Sequence, residues 1–267
     1  VKASPLTLPN NGGQWLIATG KAGGRMRGKD GSPAGRDTAL DLLKWLALAS
    51  MLLDHLRFVW PALGWLYPFG RLAFPFFCLA IAANLARSPA APEPRRLLRY
   101  LGALLLFALL AEGPYRLLVG EATTLNVLPT LALGLSIAQA LHRPRRLGLL
   151  LASAALVLAV IGDRWLMFGA AGALLPAACL LVLRRPLWCA ALPGLVCLAA
   201  NWWPPLFAEA AVLQPFALLV LGTCLGAPAL GLRVLRSEPG LAVAPLTRWG
   251  YLLYPGHFLL LAAIRAL

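Results

Sequence analysis

From Leu40 to Phe77 the chain reads LDLLKWLALASMLLDHLRFVWPALGWLYPFGRLAFPFF, and Lys44, Asp54, His55 and Arg71 stand in or beside its apolar runs. Runs of this kind are long enough to cross a bilayer, which takes about 20 predominantly apolar residues. A Lys, Arg or Asp at the centre of such a helix costs roughly 2.5 to 3.5 kcal/mol to insert, so intramembrane charges face a bundle interior or a wet cavity and mark functional sites. Lys44 and Arg71 lie near run ends, where their long stems offer the alternative of snorkelling into the headgroup layer. Asp54 and His55 are too short for that escape and read as a functional pair.

The rest of the chain makes the same environment general. Hydrophobic residues are 60% of the sequence and mean hydropathy is +0.75, which excludes a soluble enzyme with a single anchor. The net charge of +14 does not point to nucleic acid, because the basic residues fall in short loops between apolar runs. The five cysteines lie inside apolar runs without metal spacing, and the three histidines form no zinc-binding arrangement, so no metal is expected.

Residues 1–36 are rich in Gly, Lys, Arg, Pro and Asn with no apolar period, and read as a flexible basic cytoplasmic tail. Residues 37–267 read as a single membrane domain: an all-α polytopic helix bundle of about nine transmembrane helices. These run roughly over 40–59, 69–86, 97–118, 125–141, 147–161, 165–183, 187–203, 212–230 and 251–267. Alternate loops carry the positive charge. One side holds the tail and the groups Arg87, Arg95, Arg96, Arg99, then Arg143, Arg145, Arg146, then Arg184, Arg185, then Arg233, Arg236, Arg248. The other side holds Arg57, Arg116, Arg164 and Arg265. Lys and Arg concentrate on the cytoplasmic side, so the expected orientation is N-in and C-out.

That topology sorts polar residues by depth. Asp54, His55, Arg57, Arg71, Glu112, Arg116 and Asn126 all fall near the non-cytoplasmic ends of the first four spans, which implies one cluster. Glu112 and Arg116 are four residues apart, so a structural ion pair along one helix face is the alternative for them. Asn126 opens a span and reads either as a site residue or as an N-cap. Adjacent helical residues point about 100° apart, so Asp54 is badly placed to orient His55 and better placed for Arg57 or Arg71. The expected partner of His55 is Glu112. Lys44 shares a helix face with His55 about 16 Å away, a line running inward from the cluster. In the last span, Tyr254 and His257 flank a Pro-Gly pair that is expected to break the helix beside protein or water.

Five stretches, LKWLALASMLLDH, FGRLAFPFFCL, AEGPYRLL, TLNVLPTLALGL and YLLYPGHFLLL, together resemble the TraX family, the integral membrane F-pilin N-acetylases of conjugative plasmids, with their TrbP-type relatives. The resemblance covers the first four spans and the last; residues 143–236 match only as generic membrane sequence. The family is similar to the wider transmembrane acyltransferases. This implies acetyl-CoA as donor, a pilin subunit as acceptor and the bacterial inner membrane as location. It also implies His55 and Asp54 as catalytic candidates, with Arg71, Glu112, Asn126, His257 and Tyr254 in support. Many TraX-like sequences carry an acidic residue where this chain has Arg116, a departure on the acceptor side.

The chemistry fits those residue types. Aminolysis of a thioester needs a base for an α-ammonium of pKa about 7.8, and a histidine at about 6.5 suits that task. Arg71 or Asn126 then stands ready for the oxyanion. Lys44, Arg95, Arg96, Arg99, Arg143, Arg145 and Arg146 supply positive charge for the phosphates of acetyl-CoA. A sugar hydroxyl as acceptor, or a transporter using the same buried charges as a path, are the competing readings.

Overall fold

Asp37 sits in extended backbone and its carboxylate accepts from the Leu40 N–H at 2.8 Å, satisfying one of the donors that every helix start leaves open. The computed structural model describes residues 37–87, 94–240, 243–246 and 250–267, so the tail expected over residues 1–36 lies outside the described residues. From the Asp37 cap runs α1 (Thr38–His55), followed by 3₁₀ turns at Leu56–Phe58 and Pro61–Leu66. The remaining helices are α2 (Tyr67–Gly70), α3 (Ala73–Ala86), α4 (Pro94–Val119), α5 (Val127–His142), α6 (Arg146–Ile161), α7 (Gly169–Val182), α8 (Ala191–Ala200), α9 (Pro204–Ala211), α10 (Pro215–Arg236) and α11 (Gly250–Ala266). No strand occurs among the described residues.

Residues 37–267 pack as one unit around α3, whose Phe76, Cys78, Leu79 and Ala82 are sealed from the surface. α1, α5, α7 and α10 surround it, while α11 lies along α4 and α6 along α5. Large apolar side chains also cover much of the outer surface: Leu109 is 77% exposed, Leu150 69% and Ile161 68%. An apolar exterior of that extent has its solvent in lipid rather than water.

Three helical stretches are long and apolar enough to cross a membrane: Pro61–Ala86, Arg95–Val119 and Pro215–Arg236. Leu187–Ala200 with Pro204–Ala211 makes a fourth only as a pair bent by 116°. The expected nine spans are thus matched by length and composition in three or four cases. The physical reasons differ among the others. α1 has 18 residues but carries Asp41, Lys44 and Asp54. α5 and α6 have 16 residues and α7 has 14, about 21 to 24 Å of helix against a hydrocarbon core of about 30 Å.

Long-range bonds tie the helix ends into two sets. At one end Leu125 N–H donates to Trp165 O at 2.8 Å, Arg71 reaches Asn201, and Arg265 donates to Leu118 O at 2.7 Å. At the other, Arg87 pairs with Asp37, Trp45 donates to Ala244 O at 2.9 Å, and Arg236 donates to the carbonyls of Leu183 and Arg185. The chain therefore passes up and down the bundle, with the His55 end of α1 in the first set and its Asp37 end in the second.

Candidate active site

The last turn of α1 delivers Asp54 and His55 to the first set of helix ends. Ser50 Oγ donates to Phe69 O at 2.6 Å, clamping α2 against α1. Gly70 makes that approach possible: a Cβ there would stand 2.4 Å from the Cβ of Asp54, so only a hydrogen fits. Arg71 follows directly and brings its Nη2 to 3.5 Å from Asp54 Oδ2, while Arg57 Nε donates to Asp54 Oδ1 at 2.9 Å. Asp54, 6% exposed, is thereby a carboxylate held between two guanidinium groups, which is the condition for a charge to persist out of water.

Arg71 is held from the other side as well. Its Nη1 donates to Asn201 Oδ1 at 3.0 Å and to the Tyr67 hydroxyl at 3.3 Å, and its guanidinium lies 4.1 Å over the Tyr67 ring. Asn201 is itself oriented, because its amide donates to Cys197 O at 2.8 Å. Every partner fixes the fork, yet the Nε of Arg71 is buried with no hydrogen bond among the described residues.

His55 meets His257. The Nδ1 of His55 lies 2.8 Å from the Nε2 of His257, with the two rings 5.0 Å apart and within 5° of parallel. The Nδ1 of His257 is 3.0 Å from Leu253 O. A carbonyl only accepts, so in the neutral pair His257 carries its proton on Nδ1 and accepts at Nε2. His55 must then donate from Nδ1, which leaves its Nε2 as a bare lone pair. This corrects the expectation that Glu112 orients His55. It also corrects the expected break at Pro255, since α11 is continuous from Gly250 to Ala266 and that continuity places His257 one turn after Leu253.

Glu112 serves another structure. Its Oε1 takes Arg116 Nε at 2.8 Å, and its Oε2 takes the Asn126 backbone N–H at 3.0 Å and the Asn126 amide at 2.8 Å. Asn126 also donates to Ala108 O at 2.7 Å and accepts from Leu128 N–H at 3.1 Å, which is the N-cap of α5. It is 0% exposed, so no part of its amide faces a cavity. Tyr254 joins this group by accepting from the Val127 N–H at 3.4 Å.

Between these elements lies a cavity of about 60 Å3 whose walls include Asp54, His55, Arg71, Met167 and Phe168. A second cavity, of about 150 Å3, is lined by Lys44, Asn84, Tyr100 and Leu246. Phe77, Val127 and Tyr254 line both, so the two adjoin and together mark a line from Lys44 to His55. Lys44 is 3.5 Å from Asp41. Arg95, Arg96 and Arg99 are exposed at the start of α4 and line neither cavity, although Tyr100, one turn after Arg96, lines the second. Arg143, Arg145 and Arg146 sit at the turn from α5 to α6 and line neither cavity.

Asn201 and Tyr67 were not among the residues singled out from sequence. A lone Asn closing an otherwise apolar run, in NWWPP, is the signal that points to the first. Among the described residues no three His, Cys, Asp or Glu side chains are grouped to hold a metal ion. In comparison with known proteins, a family model described as TraX protein matches residues 39–265. No curated protein and no solved structure matches the chain.

Proposed function

Because the chain belongs to the TraX family, we propose that it is an inner-membrane enzyme that transfers an acetyl group from acetyl-CoA to an amine, the N-terminus of a pilin subunit. The observation that carries this reading is a pair of groups without a hydrogen-bond partner among the described residues, the His55 Nε2 lone pair and the Arg71 Nε donor, on two side chains that line one cavity.

In the reaction, His55 Nε2 takes a proton from the α-ammonium, and the freed amine attacks the thioester carbonyl. The new C–N bond forms as the carbonyl electrons move to oxygen. Arg71 Nε–H stabilises that oxyanion, a contribution typically about 3 to 4 kcal/mol in a dry site. Collapse breaks the C–S bond, the departing thiolate takes a proton from the His55 imidazolium, and the imidazole so freed removes the second proton from the acylated nitrogen and passes it to water, leaving neutral amide, CoA thiol and one released proton. His257 holds the imidazole in the required tautomer, with Leu253 O behind it. Asp54 keeps Arg71 and Arg57 in place and does not touch His55.

The size of the inner cavity suits a small acyl group. At roughly 10 to 15 Å3 for each water in the same measure, 60 Å3 accommodates an acetyl carbonyl and an amine but no long chain. The donor enters by the wider cavity, its thioester arm passing Lys44, Phe77 and Tyr254, while Arg96 with Arg95 and Arg99 meets its phosphates at the mouth. Arg143, Arg145 and Arg146 stand off that path and have the weaker claim. The topology that accompanies this reading is nine passes, N-in and C-out, with donor supplied from the cytoplasm and acceptor presented at the opposite face.

Mass spectrometry of pilin from cells carrying this chain or its His55→Ala variant tests the proposal. Acetylated N-termini are expected with the first and free N-termini with the second. Unmodified pilin in both, accompanied by acetylated glycan, would move the acceptor to a hydroxyl.

A further inference from the structure

The end of the bundle opposite His55 holds a pocket that the acetyl-transfer reading does not use. It lies among the last turns of α3, α5 and α7 and measures about 360 Å3. Its lining is apolar on Ala86, Leu141, Leu180, Leu181 and Leu183 and polar on His142, Arg184 and Arg185. It shares no lining residue with the two cavities between Lys44 and His55.

Two features make this basic edge more than a set of solvated charges. No carboxylate among the described residues pairs with Arg184 or Arg185. The backbone beneath them is pinned, because Arg236 donates to Arg185 O at 2.5 Å and to Leu183 O at 3.4 Å. Two guanidinium groups on a fixed frame, without a carboxylate partner among the described residues, match the oxygens of a phosphate, which guanidinium binds through paired N–H groups.

The apolar lining then selects among phosphates. A soluble phosphate gains nothing from Leu180 and Leu181, whereas a lipid lays its acyl chain there and leaves along Leu181, which is 53% exposed. Basic pockets between membrane helices on the positively charged side bind anionic headgroups in this manner. We propose that this pocket binds the phosphate of an anionic phospholipid. The inference needs only that the chain resides in a bilayer, so it stands apart from the acetyl-transfer reading.

Native mass spectrometry of the purified full chain in detergent tests it, with phosphatidylglycerol, the zwitterionic phosphatidylcholine, inorganic phosphate and CoA as probes. The wild type is expected to retain phosphatidylglycerol in preference to phosphatidylcholine. Arg184→Gln with Arg185→Gln should weaken phosphatidylglycerol about 25-fold, about fivefold for each guanidinium removed, and leave phosphatidylcholine unchanged, which also reports that the variant is folded. The single Arg184→Gln variant should fall midway. Arg145→Gln with Arg146→Gln, an equal charge change outside the pocket, should have little effect. An equal loss in that pair would reduce the effect to general surface charge and overturn the proposal. So would equal retention of both lipids by the wild type, or displacement of phosphatidylglycerol by phosphate or CoA.

Discussion

Two polar clusters lie a few residues from each other at one end of the bundle, and they differ in what is left over. Around Glu112 and Asn126 each donor meets an acceptor: Glu112 serves Arg116 and Asn126, and Asn126 serves Ala108 and Leu128. Around His55 and Arg71 the polar groups are held as firmly, yet His55 Nε2 and Arg71 Nε have no hydrogen-bond partner among the described residues, and both side chains line a cavity. A saturated network rigidifies the fold. An unsaturated one costs stability and keeps the capacity to bind something that arrives later. Buried charge alone thus does not distinguish a site from a strut; unfilled hydrogen-bonding capacity beside empty volume does.

His55→Ala tests that contrast most severely. Acetyl transfer should fall by about 10²- to 10⁴-fold, the usual contribution of a general base, while the melting temperature in detergent changes little. Arg71→Lys comes next. It keeps a positive charge beside Asp54 but removes the Nε–H, so kcat is expected to drop by about 10²- to 10³-fold, the range for one oxyanion donor.

His257→Phe keeps a flat ring against His55 and removes the acceptor that sets its tautomer. Activity measured against pH should fall by about 10- to 100-fold, the range over which the outer partners of a reactive group act. A variant as active as the wild type would leave the relay from Leu253 to His55 without a role.

Asn126→Ala should have the smallest effect on turnover. Its cost is architectural, about 1 kcal/mol for the cap and about 1 for each of two further hydrogen bonds, read as a lower melting temperature with kcat for each folded molecule unchanged. A loss of kcat as deep as that of His55→Ala would erase the distinction between the two clusters.

Much of this was legible in the residues. Lys44, Asp54, His55 and Arg71 stand out because an ionisable group in an apolar run has few ways to be tolerated, and the structure puts Lys44 and His55 on adjoining cavities. The helical spacing also points Asp54 toward Arg57 and Arg71, where the ion pairs form. The family resemblance rested on five short stretches, and the family match runs over residues 39–265. Asn201 was passed over because residues 187–203 carry a helix pattern and nothing about which end of which neighbour they reach.

By itself, then, the sequence determined that the chain is helical, that its surface suits lipid, and that Asp54 and His55 stand where polar groups are costly. Those follow from composition and local period, which act on each segment separately. Only the tertiary structure decided that His55 faces His257 rather than Glu112, that Asn126 is spent as a cap, and that Asn201 steadies Arg71. The physical reason is one of scale. A residue's place along a helix is set by a rise of about 1.5 Å, but its partner is set by the rotation of that helix, about 100° for each residue. A hydrogen bond needs its atoms within a few tenths of an ångström of 2.9 Å, and α1 and α11, 202 residues apart at His55 and His257, reach that only through the packing of the whole bundle.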